Sequence, residues 1–150
     1  MQPSNNCISL IKQFEGFKPK PYLCPANVAT IGYGTTIYPN NVKVQLTDNA
    51  ITEQQATEYL INHVNKSTNK LNQFIKVELK QCQYDALCDF VYNVGLNAFA
   101  NSTLLKIVNN NPNDFTNIQI NFMKWVYANG KIITGLQNRR KAEYNLYASK

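Results

Sequence analysis

The chain has one histidine, one tryptophan, no Cys-x-x-Cys pair and no apolar run approaching the length of a membrane span. Each shortage removes a class. With His63 as the only imidazole and no paired cysteine motif, a zinc centre has no ligand set, and nothing else calls for a metal or a cofactor. Without a spanning segment, stable membrane insertion is excluded as an expectation. The polar opening Met1 to Asn6, interrupted by Pro3, does not read as a signal peptide. No internal repeat is visible, and the abundance of asparagine is a compositional bias.

Acidic residues are the scarcer sign. Nine Asp and Glu stand against fifteen Lys and Arg, giving a net charge of +6 and a pI near 9.1. That balance favours an anionic partner, such as nucleic acid, a membrane surface or a bacterial wall, without choosing among them. A nucleic-acid reading rests on charge alone, because no aromatic–basic recognition pattern or helix-turn-helix signature accompanies it. With 44% hydrophobic and 16% charged residues over 150 positions, the chain suits one well-buried globular domain or two lobes sharing a core.

The four cysteines are Cys7, Cys24, Cys82 and Cys88. Cys82 and Cys88 lie six apart on one helical segment, face different ways and do not pair with each other. They read as core. Cys7 is free to pair with any of the rest, and a bond from it to Cys24 would block that thiol until reduction.

Ser4-Asn5-Asn6 offers a cap for a first helix carrying Cys7, Leu10, Ile11 and Phe14. Gly16 ends it and leaves Glu15 in the last turn, against the negative end of the helix dipole. With water excluded, that setting raises a carboxyl pKa, as an acid catalyst requires. Pro19, Pro21 and Pro25 then break helix. Val28 to Gly34 reads as a short strand and Val42-Lys43-Val44 as another. Thr52 to Gln55 is a capping box opening a long helix whose buried stripe is Ala56, Tyr59, Leu60, Val64 and Leu71.

From Leu79 onward the pattern is helical. Cys82, Ala86, Leu87, Phe90, Val91 and Val94 lie on a strongly apolar helix closed by Gly95. Asn101-Ser102 caps a shorter one. Another starts at Asn113 or Asp114 and runs to about Tyr127, Asn129-Gly130 is a turn, and Leu136 to Tyr147 forms a last basic helix. The expected fold is α+β within a single domain over residues 1–150. A small β-containing lobe near 17–50 is joined by a helix to a larger helical lobe, about 70–150, which also takes in the first helix. A cleft between such lobes suits an extended substrate.

Three stretches resemble one family. Glu15, eight residues, Cys24, five residues, Thr30 is similar to the catalytic signature of the phage-type lysozymes, the endolysin family. Gln83 to Gly95 (QYDALCDFVYNVG) resembles its central helix, and Trp125 to Glu143 (WVYANGKIITGLQNRRKAE) its C-terminal motif. The resemblance covers roughly residues 7 to 148. It implies a lysozyme fold and hydrolysis of the β-1,4 bond between N-acetylmuramic acid and N-acetylglucosamine in peptidoglycan. It also implies a monomer held in the host cytoplasm until release to the wall; a trimmed secreted form is the rival reading. Two positions depart from the family pattern. Cys24 stands where Asp is commoner, and Thr35 where a His often follows the Gly-rich run.

On that resemblance, Glu15 is the general acid, and Thr30 holds a water through its hydroxyl. Cys24 orients that water, acts as its base, or attacks the sugar directly. Tyr33 and Arg139 are candidates for substrate contact, and Arg139, Arg140 and Lys141 together are partly structural and partly a positive face towards the wall. Trp125 is core or cleft lining, and His63 a surface residue. Two other readings remain: a catalytically impaired peptidoglycan-binding module with the same fold, and a Cys24–His63 thiol protease that no surrounding pattern supports.

Overall fold

A computed structural model describes residues 1–150. Helix α1 (Asn5–Glu15) starts where the Ser4 hydroxyl accepts from Asn6 N–H and stops at Gly16, whose φ of 70° suits a residue without Cβ. Strands β1 (Lys18–Leu23) and β2 (Ala29–Gly32) follow as a two-stranded antiparallel sheet. Pro19 and Pro21 argue for broken structure, yet β1 is a strand. It pairs with β2 only, and its register slips between Lys18 and Tyr22, the edge-and-bulge setting in which proline is tolerated. The expected strand at Val42–Val44 is not formed. It reduces to one bridge between Ile37 and Lys43, inside a loop folded back by a bond from Tyr38 N–H to Val42 O.

Helix α2 (Glu53–Leu71) opens on the expected capping box. Gln55 N–H donates to Thr52 Oγ1 at 3.1 Å, and the Gln55 side chain accepts from Thr52 N–H at 2.9 Å. Its 19 residues span about 28 Å and join the two parts of the molecule. The buried stripe is Ala56, Leu60, Val64, Thr68 and Leu71, with Tyr59 only half-buried.

Helix α3 (Gln81–Val94) forms the centre of the helical part: every residue from Gln83 to Val91 is buried. Around it sit α1, α4 (Leu96–Ala100), α5 (Thr103–Asn110), α6 (Phe115–Phe122) and α7 (Thr134–Tyr147), with α7 and α1 packing on it most extensively. Helix α6 ends at Phe122 rather than near Tyr127. Asn129 and Gly130, with φ of 51° and 73°, close a two-residue hairpin between β3 (Tyr127–Ala128) and β4 (Lys131–Ile132). Paired positive φ is the backbone such a turn needs, and Asn-Gly supplies it. Trp125 is half-buried and packs edge-on against Phe90.

All four cysteines are free. Cys7 is fully buried, and hydrogen bonding to Cys88 on α3, together with burial, pushes its pKa up. It does not reach Cys24. Cys82, expected in the core, is half-buried, and its thiol points at the Ser149 carbonyl 3.2 Å away. No helix is long and apolar enough to cross a membrane.

Candidate active site

Glu15 ends α1 with its side chain about a quarter exposed. The setting read from the sequence, a carboxylate facing only the helix end, is not the one found. Arg139 Nη1 on α7 donates to Glu15 Oε1 at 2.6 Å. The same guanidinium is clamped from the other side, its Nε and Nη2 donating to Asp89 Oδ2 and Oδ1 at 3.1 and 2.8 Å. Arg139 is 4% exposed, so it is not a sugar contact, and Arg140 is wholly buried. The expectation that these arginines face the wall is corrected; of the three basic residues only Lys141 is exposed. Burial alone pulls the Arg139 pKa down, but the bonds to Asp89 and then to Glu15 outweigh it and the net shift is upward. The cation therefore holds its charge, and a planar fork with fixed donors positions the Glu15 carboxylate.

Behind that fork lies a second buried pair, Arg140 Nη2 to Glu143 Oε1 at 2.6 Å. Three carboxyls (Glu15, Asp89, Glu143) surround two guanidiniums. Burial first, and then the neighbouring Asp89, push the Glu143 pKa well up.

The sheet supplies the opposing groups. Tyr22 pairs with Thr30 across the two strands, so their side chains share a face, and Cys24 follows two residues on. Cys24 N–H donates to Val28 O at 3.0 Å and Asn27 N–H to Cys24 O at 2.8 Å, which closes the turn between β1 and β2. Bonding from the Val28 backbone, with lesser help from Ala26 and the Thr30 hydroxyl, lowers the Cys24 pKa against partial desolvation. Thr30 is buried, and its hydroxyl donates to Val28 O at 2.9 Å. The Tyr22 phenol is half-buried. Its pKa is raised by desolvation, then by the negative charge of Cys24 and of Glu15. One hydroxyl thus senses both reactive groups.

Tyr33 does not present its ring to a substrate. It is 3% exposed, its hydroxyl donates to Glu53 Oε1 at 2.6 Å, and Lys12 lies over its face. Its carbonyl is the informative atom: it accepts from Tyr92 Oη at 2.7 Å, tying α3 to the loop after β2. Gly34 (φ 91°) follows. A Cβ there would meet Tyr92 Oη at 3.1 Å and Glu15 Oε2 at 3.6 Å, so the second carboxylate oxygen looks onto space that only glycine leaves open.

Tyr92 also lines a cleft of about 970 Å³ between the loop at Ile37–Asn41, helix α2 and the α3–α4 junction. Glu15, Cys24 and Thr30 are not among its lining residues, so this cleft adjoins the reactive groups through Tyr92 rather than containing them. Sequence reasoning missed Tyr22, Tyr92 and Asp89. Asp89 had a signal, an acid inside an otherwise apolar helix, which is rarely left unpaired.

The Phage lysozyme family matches residues 12–143. The chain belongs to that family and is a lysozyme-type glycosidase. It is 41% identical to the endolysin of Acyrthosiphon pisum secondary endosymbiont phage 1, with 99% of each chain covered. Its identity to the endolysin of Salmonella phage P22 is 34%, again over 99% of both. Among solved structures, the endolysin from Escherichia coli O157:H7 phage FAHEc1 superposes with a TM-score of 0.89 at 33% identity, over 99% of this chain and 94% of that one. The α+β, lysozyme-like architecture is that of these structures.

Proposed function

We propose that the chain hydrolyses the β-1,4 bond between N-acetylmuramic acid and N-acetylglucosamine in bacterial peptidoglycan, with Glu15 as general acid and Cys24 and Thr30 handling the water. The observation that carries this reading is the Glu15 carboxylate, fixed by Arg139, with the Tyr22 hydroxyl on the Thr30 face of the sheet close enough to feel both it and Cys24.

Protonated Glu15 gives its proton to the glycosidic oxygen as the C1–O bond breaks, and positive charge develops at C1. A water held on the other face forms the new C1–O bond. The Thr30 hydroxyl oxygen accepts from one water hydrogen and sets the direction of attack. The remaining proton passes to the Cys24 thiolate, which the turn amides favour at lower pH than an ordinary thiol. Proton return from Cys24 to Glu15 through solvent closes the cycle with no net change in either group.

The protein acts as a monomer, accumulates in the host cytoplasm and reaches the wall on release. Glu15→Gln tests the reading. Clearing of purified peptidoglycan is lost while co-sedimentation with the wall persists. If clearing continues, the acid lies elsewhere; if wild type binds the wall and never clears it, the chain is a binding module.

A further inference from the structure

The turn after β2 is held at three points. At its base, Ile31 and Thr35 exchange both backbone bonds at 2.9 Å. It seats against α2, where a Cβ on Gly32 would meet Ala56 Cβ at 3.0 Å and the Tyr33 hydroxyl reaches Glu53 Oε1 at 2.6 Å. The third point comes from α3: Tyr92 Oη donates to the Tyr33 carbonyl at 2.7 Å. This last bond stands beside the acid. The place a Cβ would take on Gly34 lies 3.1 Å from Tyr92 Oη and 3.6 Å from Glu15 Oε2.

Tyr92 is held so as to keep that bond. Its ring packs edge-on against His63 of α2, centroids 5.4 Å apart. Burial first, and then the negative charge of Glu15, push the phenol pKa up, so the hydroxyl keeps its hydrogen well beyond neutral pH. A phenol has one hydrogen to donate, and here it is spent on Tyr33 O, which leaves none for Glu15 or a sugar. Proton donation is thus closed to this group, and placement of the turn is open to it.

We propose that Tyr92 is a positioning residue for the reaction: its hydroxyl holds the Tyr33–Gly34 backbone where Glu15 Oε2 stays free to meet the glycosidic oxygen. This rests on Glu15 being the general acid. Without the bond the turn loses its only side-chain tie to α3, and Gly34, with no Cβ to restrain its backbone, shifts relative to the carboxylate. A small displacement there spoils the alignment of proton transfer more than the binding of an extended chain.

Tyr92→Phe tests this, because it keeps the ring and its packing on His63 and removes the bond. Initial rates on soluble, uncross-linked peptidoglycan should show kcat down about tenfold with KM within about twofold of wild type. Tyr33→Phe removes the other side-chain bond of the same turn, the one to Glu53, and keeps most of kcat. A double-mutant cycle gives the second readout. Gly34→Ala alone sets its methyl 3.1 Å from Tyr92 Oη; with Tyr92→Phe that oxygen is gone, so the two losses in kcat do not multiply. Tyr92→Phe at the wild-type kcat overturns the proposal. So does a loss matched by Tyr33→Phe, a loss confined to KM, or losses that multiply in the cycle. Glu15→Gln measured alongside separates the two readings. If it turns over at the wild-type rate, the acid is misassigned and the proposal falls with it; if it is inactive while Tyr92→Phe is unimpaired, only the role of Tyr92 fails.

Discussion

On the helical wall, Glu15 ends in a guanidinium that Asp89 grips with two further bonds, all inside a buried cluster reaching to Arg140 and Glu143. On the sheet wall, Cys24 and Thr30 depend on one short turn and a two-stranded sheet whose first strand is exposed along much of its length. The acid is held by charges taken out of water, where a missing partner is expensive. The water-handling side is held by backbone amides, which accept any small anion of suitable reach. A thiol fits an amide-lined turn, but no comparable change fits the Arg139 fork.

The widest gap between the walls is expected at Glu15. Glu15→Gln lowers the clearing rate by about 10²- to 10⁴-fold, because the amide keeps one acceptor for Arg139 but has no acidic proton to give. Next is Arg139→Met, which leaves the Asp89 carboxylate buried without its two donors. Urea unfolding should show a loss of about 3–5 kcal/mol. A loss below 1 kcal/mol would make the cluster a bystander and erase the contrast.

On the sheet wall the expected effects fall on rate. Thr30→Val loses water alignment and slows clearing by up to about a hundredfold. It costs about 1 kcal/mol of stability, since Val28 O keeps its bond from Cys24 N–H. For Cys24 the sign follows from its lowered pKa. The thiolate is populated below the ordinary thiol range, so the limb it contributes to the pH–rate profile lies below that of a free cysteine. Cys24→Asp moves this limb further down by several units and leaves the Glu15 limb in place. A Cys24→Ala protein that clears at the wild-type rate removes the thiol from the reaction. The smallest effect belongs to the helix between the walls: Thr52→Ala loses its cap, about 1 kcal/mol or roughly 2–4 °C in midpoint, without touching rate.

Legibility in the sequence followed the same division. Glu15, Cys24 and Thr30 sit within sixteen residues, so their spacing could be read along the chain. The partners of Glu15 could not. Arg139 is 124 residues away, and a run of basic residues on a helix looks the same whether it meets water or buried carboxylates. Tyr92 lay hidden for a related reason, since an aromatic residue at helical spacing reads as core until its hydroxyl is seen to cross to another element. Strand β1 was obscured by its prolines, which forbid a central strand but not a bulged edge. The β3–β4 hairpin was legible in Asn129-Gly130 and was read only as a turn.

Gly34 gives the site its entrance. In most active sites selectivity is read from the side chains present; here the opening beside Glu15 Oε2 is drawn by one that is missing. A single methyl at this position would stand 3.6 Å from Glu15 Oε2 and crowd, at 3.1 Å, the Tyr92 hydroxyl that bonds Tyr33 O. The smallest substitution available would thus strain the backbone and press on the bond that ties α3 to the loop beside Glu15.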